Sequence, residues 1–525
     1  MERQVGIIGA GVSGLVACKH VMEMGFKPIV FESKRNAGGV WGQTVKSTRL
    51  QSHKQAFRFS DFPWPDSVKE DFPDHNQVLD YIESYARHFD LLQYIKFNSK
   101  VTCIDYEGPF DEGMDSWDFC GKNGEPFSPK GKWTISVENQ NTETNEIYQV
   151  DFVIVCIGKF SDLPNIPEFP ENQGPEAFDG KVIHSMHYSA MDDASALEFI
   201  KGKRVTVVGM MKSGLDIANE CAEANGVGHP CTVLYRKAHW SFPDYYPWGV
   251  PLALLYRNRF AEFMVHKPGE GFLLSLLATL LTPLRWFISK FVESYIKSKL
   301  QLKKYNMIPE HSFNEEFFSG TISITPPHFY DRVEQGSIIL NKSTRFSFCK
   351  DGLMIDEKTT PLKTDVVILC TGYNGDEKLK NIFRSAMYQN YMTGSSNSTV
   401  RLYRECIHPR IPQLAIIGYT NSLVYLYTSE MRCIWIAHLL KGTFKLPGMR
   451  EMEADLMKHY SGENYKESCL CSAPTWYHDM LCKDMKLNPR RKKGFSAELF
   501  QPYGPADYAN LFPPPPLNDL VISPR

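Results

Sequence analysis

The chain opens on Gln4-Val5-Gly6-Ile7-Ile8-Gly9-Ala10-Gly11-Val12-Ser13-Gly14, a short apolar run that enters Gly-x-Gly-x-x-Gly. Residues 15–24 have helical character, and a second apolar run, Pro28-Ile29-Val30-Phe31, ends in Glu32. Strand, glycine turn, helix, strand and acid thus follow one another in the first 32 residues. That context makes the glycine spacing a dinucleotide fingerprint rather than a chance turn. Gly9 makes the tight turn, Gly11 lets the backbone approach a pyrophosphate, and Gly14 allows close packing of helix on strand. Val12 and Ser13 lie at the helix N-terminus, whose positive dipole end faces the phosphates. Glu32 accepts hydrogen bonds from a ribose hydroxyl and repels a 2′-phosphate, so this first site is expected to hold FAD or NAD and not NADP.

A length of 525 residues leaves room for roughly two to four domains. A net charge of −2 supplies no basic field for nucleic acid. The 13 cysteines show no metal-ligand spacing, and the one close pair is Cys469-Leu470-Cys471. They read as reduced thiols of an intracellular protein. No signal peptide is expected, because the first strand begins by residue 4. One segment tests a purely soluble reading. Residues 272–281 are apolar but too short to span a bilayer, and Pro283 and Arg285 interrupt the chain just beyond them. Phe287, Phe291, Tyr295 and Ile296 then recur at helical spacing with Lys290, Lys297 and Lys299 elsewhere on the turn. Two readings stay open for residues 271–300: a helix packed over the mouth of the site, or an amphipathic helix making peripheral membrane contact.

Past Glu32, Gly38 and Gly39 give backbone freedom beside the nucleotide, and Val40 and Trp41 come next, Trp41 either covering a ring system or filling core. Residues 50–65 are aromatic and proline-punctuated, hence a loop. Residues 76–89 read as an amphipathic helix capped by Asp74. A buried strand at 150–158 ends in glycine, and Pro164, Pro167 and Pro170 mark the crossover out of the first domain. A second strand–turn–helix opens at Val205-Thr206-Val207-Val208-Gly209-Met210-Met211-Lys212-Ser213-Gly214. Its following strand ends in Arg236 and Lys237, so the ribose position is basic and NADPH is the expected ligand, with Arg236 pairing to the 2′-phosphate. Met211 replaces the middle glycine, and Lys212 is expected to supply compensating charge. Residues 364–373 repeat the pattern of 150–158, with Thr371 and Gly372 read as further contacts to the first nucleotide.

The fold class is therefore α/β, with two nested Rossmann-type dinucleotide-binding domains, the FAD domain being interrupted by the NADPH domain. The expected boundaries are 1–170 for the first part of the FAD domain, 171–345 for the NADPH domain with a helical insertion near 250–305, 346–445 for the completing part, and 446–525 for a C-terminal extension.

Phe178-Asp179-Gly180-Lys181-Val182-Ile183-His184-Ser185-Met186-His187-Tyr188 fits Phe-x-Gly-x-x-x-His-x-x-x-Tyr, placed just ahead of the second turn. With the two turns, it makes residues 1–445 similar to the flavin-containing monooxygenases of class B. The related Baeyer–Villiger enzymes usually carry Trp where Tyr188 stands. Phe59-Ser60-Asp61-Phe62-Pro63-Trp64-Pro65 and the Gly209-x-x-Lys212-Ser213 turn resemble the plant branch, in particular its pathogen-response subgroup. The resemblance implies FAD at the first site and NADPH at the second. It further implies oxygen transfer through a C4a-hydroperoxyflavin to a soft nitrogen or sulfur nucleophile of a small-molecule amine or thioether, with N-hydroxylation of an amine acid such as pipecolate as one candidate. His184 and Tyr188 would hold the nicotinamide half, Lys54 matches a lysine near the flavin, and Gln51 stands where many relatives have a supporting asparagine. A cytoplasmic location is expected, with the endoplasmic reticulum surface as the membrane candidate.

Two other readings compete. A two-nucleotide disulfide reductase needs a redox cysteine pair beside the flavin, and the sequence has no Cys-x-x-Cys or Cys-x₄-Cys. An uncoupled NADPH oxidase or a degenerate dinucleotide-binding protein stays open because of Met211 and Gln51.

Overall fold

A computed structural model describes residues 3–108, 124–128, 130–356, 359–393, 400–420, 422, 424–460 and 473–511. Cys469, Cys471 and the proline run at 513–516 lie outside the described residues.

Two five-stranded parallel sheets carry the molecule. The first has the order Leu414–Ile416, Phe152–Val155, Gln4–Ile8, Lys27–Phe31, Ile95–Lys96. The second has the order Ile338–Lys342, Cys231–Tyr235, Val205–Val208, Val366–Leu369, Lys181–His184. Each strand that enters a glycine turn is central and buried on both faces, which is why Val5, Ile7 and Ile8 read as a continuous apolar run, as do Val205 to Val208. Helix Val12–Glu23 covers the first sheet and packs on helix Tyr425–Lys441. Lys212–Asn225 takes the equivalent place on the second. His75–His88 is capped by Asp74, as its sequence predicts, and Gln77 completes a capping box.

The sheet pairing moves one expected boundary. The completing part of the first domain does not start at 346, because Val366–Leu369 pairs between Val205–Val208 and Lys181–His184. An apolar run ending in cysteine, one residue and glycine fits either sheet equally well. Here the neighbour decides: the Cys370 carbonyl backs Gly209 as the Cys156 carbonyl backs Gly9. The chain rejoins the first sheet only at Leu414.

The interruption expected at Pro283 is also corrected. Phe272–Lys299 is one helix of 28 residues that runs through Pro283. By length and composition alone it is apolar enough to cross a membrane, and only 11% of its most apolar window is buried. Leu273, Leu276, Leu280, Leu284, Phe287 and Phe291 form an exposed stripe at helical spacing, while Ala278, Ser289, Val292 and Ile296 face the protein.

The C-terminal extension folds back on the insertion. Arg259 reaches Asp479 through two nitrogens, Glu498 at 2.5 Å, the Pro489 carbonyl at 2.9 Å and the Tyr503 hydroxyl at 3.2 Å. Glu262 accepts from the backbone N–H groups of Thr475 and Trp476 at 2.6 and 2.9 Å, and burial pushes its carboxyl up to about 7. Removing one partner of a buried ion cluster leaves the others uncompensated. Arg259→Ala is therefore expected to lower stability by about 3 kcal/mol in denaturant unfolding. Limited proteolysis should then release the segment 473–511 ahead of the two sheets.

Candidate functional site

The two glycine turns are built alike. Gly9 has φ +100°, and a Cβ there would lie 2.6 Å from the Cys156 oxygen. Gly209 has φ +114°, and a Cβ there would lie 2.4 Å from the Cys370 oxygen. Cβ atoms at Gly14 and Gly214 would meet the Gly9 and Gly209 oxygens at 1.8 and 2.1 Å. Glycine is thus required at all four positions, in the roles the spacing predicts. Both following helices start without a side-chain cap, at Gly11 and at Met211, so their first N–H groups stay available to a phosphate.

The middle positions differ only in side chain. Gly11 has φ −74° and ψ −173°, and Met211 φ −87° and ψ −175°, extended backbone that any residue adopts. Gly39 lies against Gly11, a Cβ there reaching the Gly39 Cα at an ordinary contact distance of 3.4 Å.

Glu32 ends its strand buried beside the first turn. One carboxylate oxygen accepts from Ala10 N at 2.7 Å and the other from Lys34 N at 2.8 Å. The side chain is thereby held beside the turn with lone pairs to spare. Ser13 borders Gly418, whose carbonyl accepts from the Tyr425 hydroxyl at 2.5 Å. Gly39, Val40 and Trp41 form a short helical turn, with Val40 exposed and Trp41 edge-on to Phe57 at 5.8 Å. These features fit FAD: a close-approach turn, free donors and a fixed acid beside the turn.

Thr371 and Gly372, expected beside the first nucleotide, are carried by the second sheet. They follow the strand Val366–Leu369 and so stand at the carboxyl edge of the second sheet. There they clasp the crossover, Asn165 N donating to the Gly372 oxygen at 2.9 Å and Thr371 Oγ1 to the Asn165 oxygen at 2.5 Å.

At the second site Arg236 is exposed and has no ion-pair partner among the described residues, so its charge is uncommitted. Lys212 is committed. Its Nζ lies 2.5 Å from the buried Asp216 carboxylate, which neutralises the charge expected to offset Met211. Ser213 follows it in the first helical turn. His184 caps a short helix through Nδ1 and faces the Tyr373 ring at 5.4 Å, and burial holds its imidazole below the usual histidine range. Tyr188 is buried and donates to Glu220 at 2.9 Å.

Sequence reasoning missed the seam between the domains. Thr48 Oγ1 donates to Asp216 at 2.8 Å and Ser47 N to Glu220 at 2.7 Å, closing a loop of the first domain onto the helix of the second. Farther along, Tyr245 donates to the Gln51 oxygen at 3.1 Å, and Tyr246 lies 3.4 Å from His53. The Gln51 side chain is exposed at this mouth, whereas Lys54 donates to the Val68 oxygen at 2.5 Å. The partners are about 170–195 residues apart in sequence, and no local pattern announces them.

Comparison with known proteins gives the family. The flavin-binding monooxygenase-like family matches residues 2–479. The chain belongs to this family. It is 40% identical over 516 residues to the Arabidopsis thaliana protein named "Probable flavin-containing monooxygenase 1", the alignment covering 96% of each chain. Among solved structures it is similar to an S-allyl-L-cysteine S-oxygenase from Allium sativum, with a TM-score of 0.56 at 18% identity over 93% of this chain and 89% of that one. It is also similar to a steroid monooxygenase bound to NADP, with a TM-score of 0.63 at 18% identity over 92% and 98%. As a flavin-containing monooxygenase, the enzyme uses FAD and NADPH and oxygenates a small molecule with O₂.

Proposed function

We propose that this flavin-containing monooxygenase transfers one oxygen atom to a soft nitrogen or sulfur centre, with amine-bearing carboxylic acids of the pipecolate kind as the preferred substrates. NADPH supplies two electrons, one oxygen atom of O₂ goes to the substrate lone pair, and the other leaves as water. Bound FAD supplies the redox and oxygen-activating chemistry; the chain binds, orients and shields. Glu32 holds the FAD ribose, the Gly9–Gly14 turn its pyrophosphate, and Arg236 the 2′-phosphate of NADPH.

The observation that carries the acid preference is Arg257. Its Nη2 donates to the Tyr503 oxygen at 2.8 Å, while its Nε is buried with no hydrogen-bond partner. The guanidinium lies close enough to act electrostatically on His53, Tyr245 and Tyr427. A half-buried guanidinium at this seam would suit a substrate carboxylate through a nitrogen that Tyr503 does not hold. The test supplies purified holoenzyme with NADPH and air and measures oxygenated product against peroxide for amine acids, their esters and thioethers. Product from the acids, with Arg257→Gln raising KM for acids but not for esters, supports the reading. Peroxide without product favours an uncoupled NADPH oxidase instead.

The exposed stripe from Leu273 to Phe291 supports peripheral membrane contact through the helix Phe272–Lys299. The full-length protein is expected to float with phospholipid vesicles, and Leu280→Glu/Phe287→Glu to remain at the bottom of the gradient with its activity intact. Equal behaviour of the two proteins would remove the idea.

A further inference from the structure

Near the NADPH site lies a group of side chains that oxygen transfer does not use. His239 follows Arg236 by three residues, His311 precedes the helix Phe313–Ser319, and Glu316 sits in that helix. One ligand atom from each lies within 4.8 Å of the other two. Glu316 Oε1 is 2.9 Å from His239 Nδ1, and Oε2 meets His311 Nε2. Thr321 Oγ1 donates to Oε1 at 2.8 Å. The carboxylate is 3% exposed, while the two imidazoles are 20% and 23% exposed.

The surrounding fold fixes this arrangement. Ser241–Phe242 and Ser323–Ile324 pair in parallel, with Ser241 opposite Ser323. Two residues back, that register sets His239 opposite Thr321. Ser312 and Glu315 form a capping box that fixes the turn carrying Glu316. Trp240 Nε1 donates to the His311 oxygen at 2.9 Å and ties down the third segment.

Two imidazoles and one carboxylate on three anchored segments form the donor set of zinc-class ions rather than of Mg²⁺ or Ca²⁺. We propose that His239, His311 and Glu316 bind a divalent ion of the zinc class, with Thr321 orienting the carboxylate and water completing the sphere. Binding leaves each imidazole neutral, its proton moved to the opposite ring nitrogen. Side-chain rotation then opens the nitrogen–oxygen gaps to about 3.3 Å, the separation of tetrahedral ligands. The ion would staple the segment behind Arg236 to the helical insertion.

The FAD-loaded full-length protein, dialysed against EDTA and then buffer, is titrated calorimetrically with Zn²⁺ and with Mg²⁺. One tight site for Zn²⁺, none for Mg²⁺, and a raised melting temperature with Zn²⁺ are expected. Glu316→Gln and His311→Gln should each weaken binding by about a hundredfold or more, and the exposed His328→Gln should not. No saturable Zn²⁺ binding, or binding unchanged in both variants, would overturn the proposal and leave a hydrogen-bonded brace. If the variants fail to fold, X-ray absorption at the zinc edge of the wild-type protein decides. Imidazole and carboxylate ligands uphold the site, and sulfur or water ligands alone sink it.

Discussion

Gly14→Ala is expected to yield a protein purified without flavin and with activity lowered by about a thousandfold or more. The added methyl would sit 1.8 Å from the Gly9 carbonyl oxygen, a backbone atom that cannot rotate away. Relief requires the helix Val12–Glu23 to lift from the turn, at a cost of about 3 kcal/mol or more. That movement withdraws the helical N–H groups from the pyrophosphate and leaves the redox chemistry without its cofactor. The check is flavin absorbance per mole of protein together with NADPH oxidation. Gly42→Ala is the control, since a Cβ there meets nothing within 4 Å. A Gly14→Ala protein with full flavin content would show that the turn does not hold the cofactor.

Arg236→Ala is expected to raise KM for NADPH by about thirtyfold with kcat little changed, and to leave KM for NADH as it was. A charge-assisted pairing with the 2′-phosphate contributes about 2 kcal/mol, which is about thirtyfold in affinity. An effect on KM alone marks binding shared by ground and transition states. Equal losses for both nucleotides would assign Arg236 a structural role instead. Because Lys212 is already paired with Asp216, Lys212→Met should disturb the nucleotide preference far less than Arg236→Ala does.

The sequence was most legible where one residue type answers to a single backbone demand. Gly9, Gly14, Gly209 and Gly214 each stand where a Cβ would strike a carbonyl oxygen, so their spacing, read between a strand and a helix, located both turns. Asp74 announced a helix start in the same local way. What stayed hidden depends on partners distant in the chain. Val366–Leu369 carries no mark of which sheet it joins, because both sheets offer a central strand ending in a glycine turn. Lys212 looked like a free charge until the fold set it against Asp216, one helical turn away on the same face. Arg257 has its meaning only beside Tyr503, Tyr427 and His53, none of them its neighbour in sequence. Pro283 suggested a break, yet the helix passes through it with most of its surface turned to solvent.

The contact of Gly39 with Gly11 gives the two turns different surroundings. In the first turn a second loop closes over the phosphate-binding backbone, so a dinucleotide there is held between two chain segments. In the second turn the same position bears Met211, intermediate in exposure, on backbone of the same shape. A ligand clasped on both sides departs slowly, and one bordered by a flexible thioether departs readily. Such a difference would suit a resident cofactor at the first turn and an exchangeable co-substrate at the second. This is the division of labour that a cycle spending one NADPH per turnover on a permanent flavin requires.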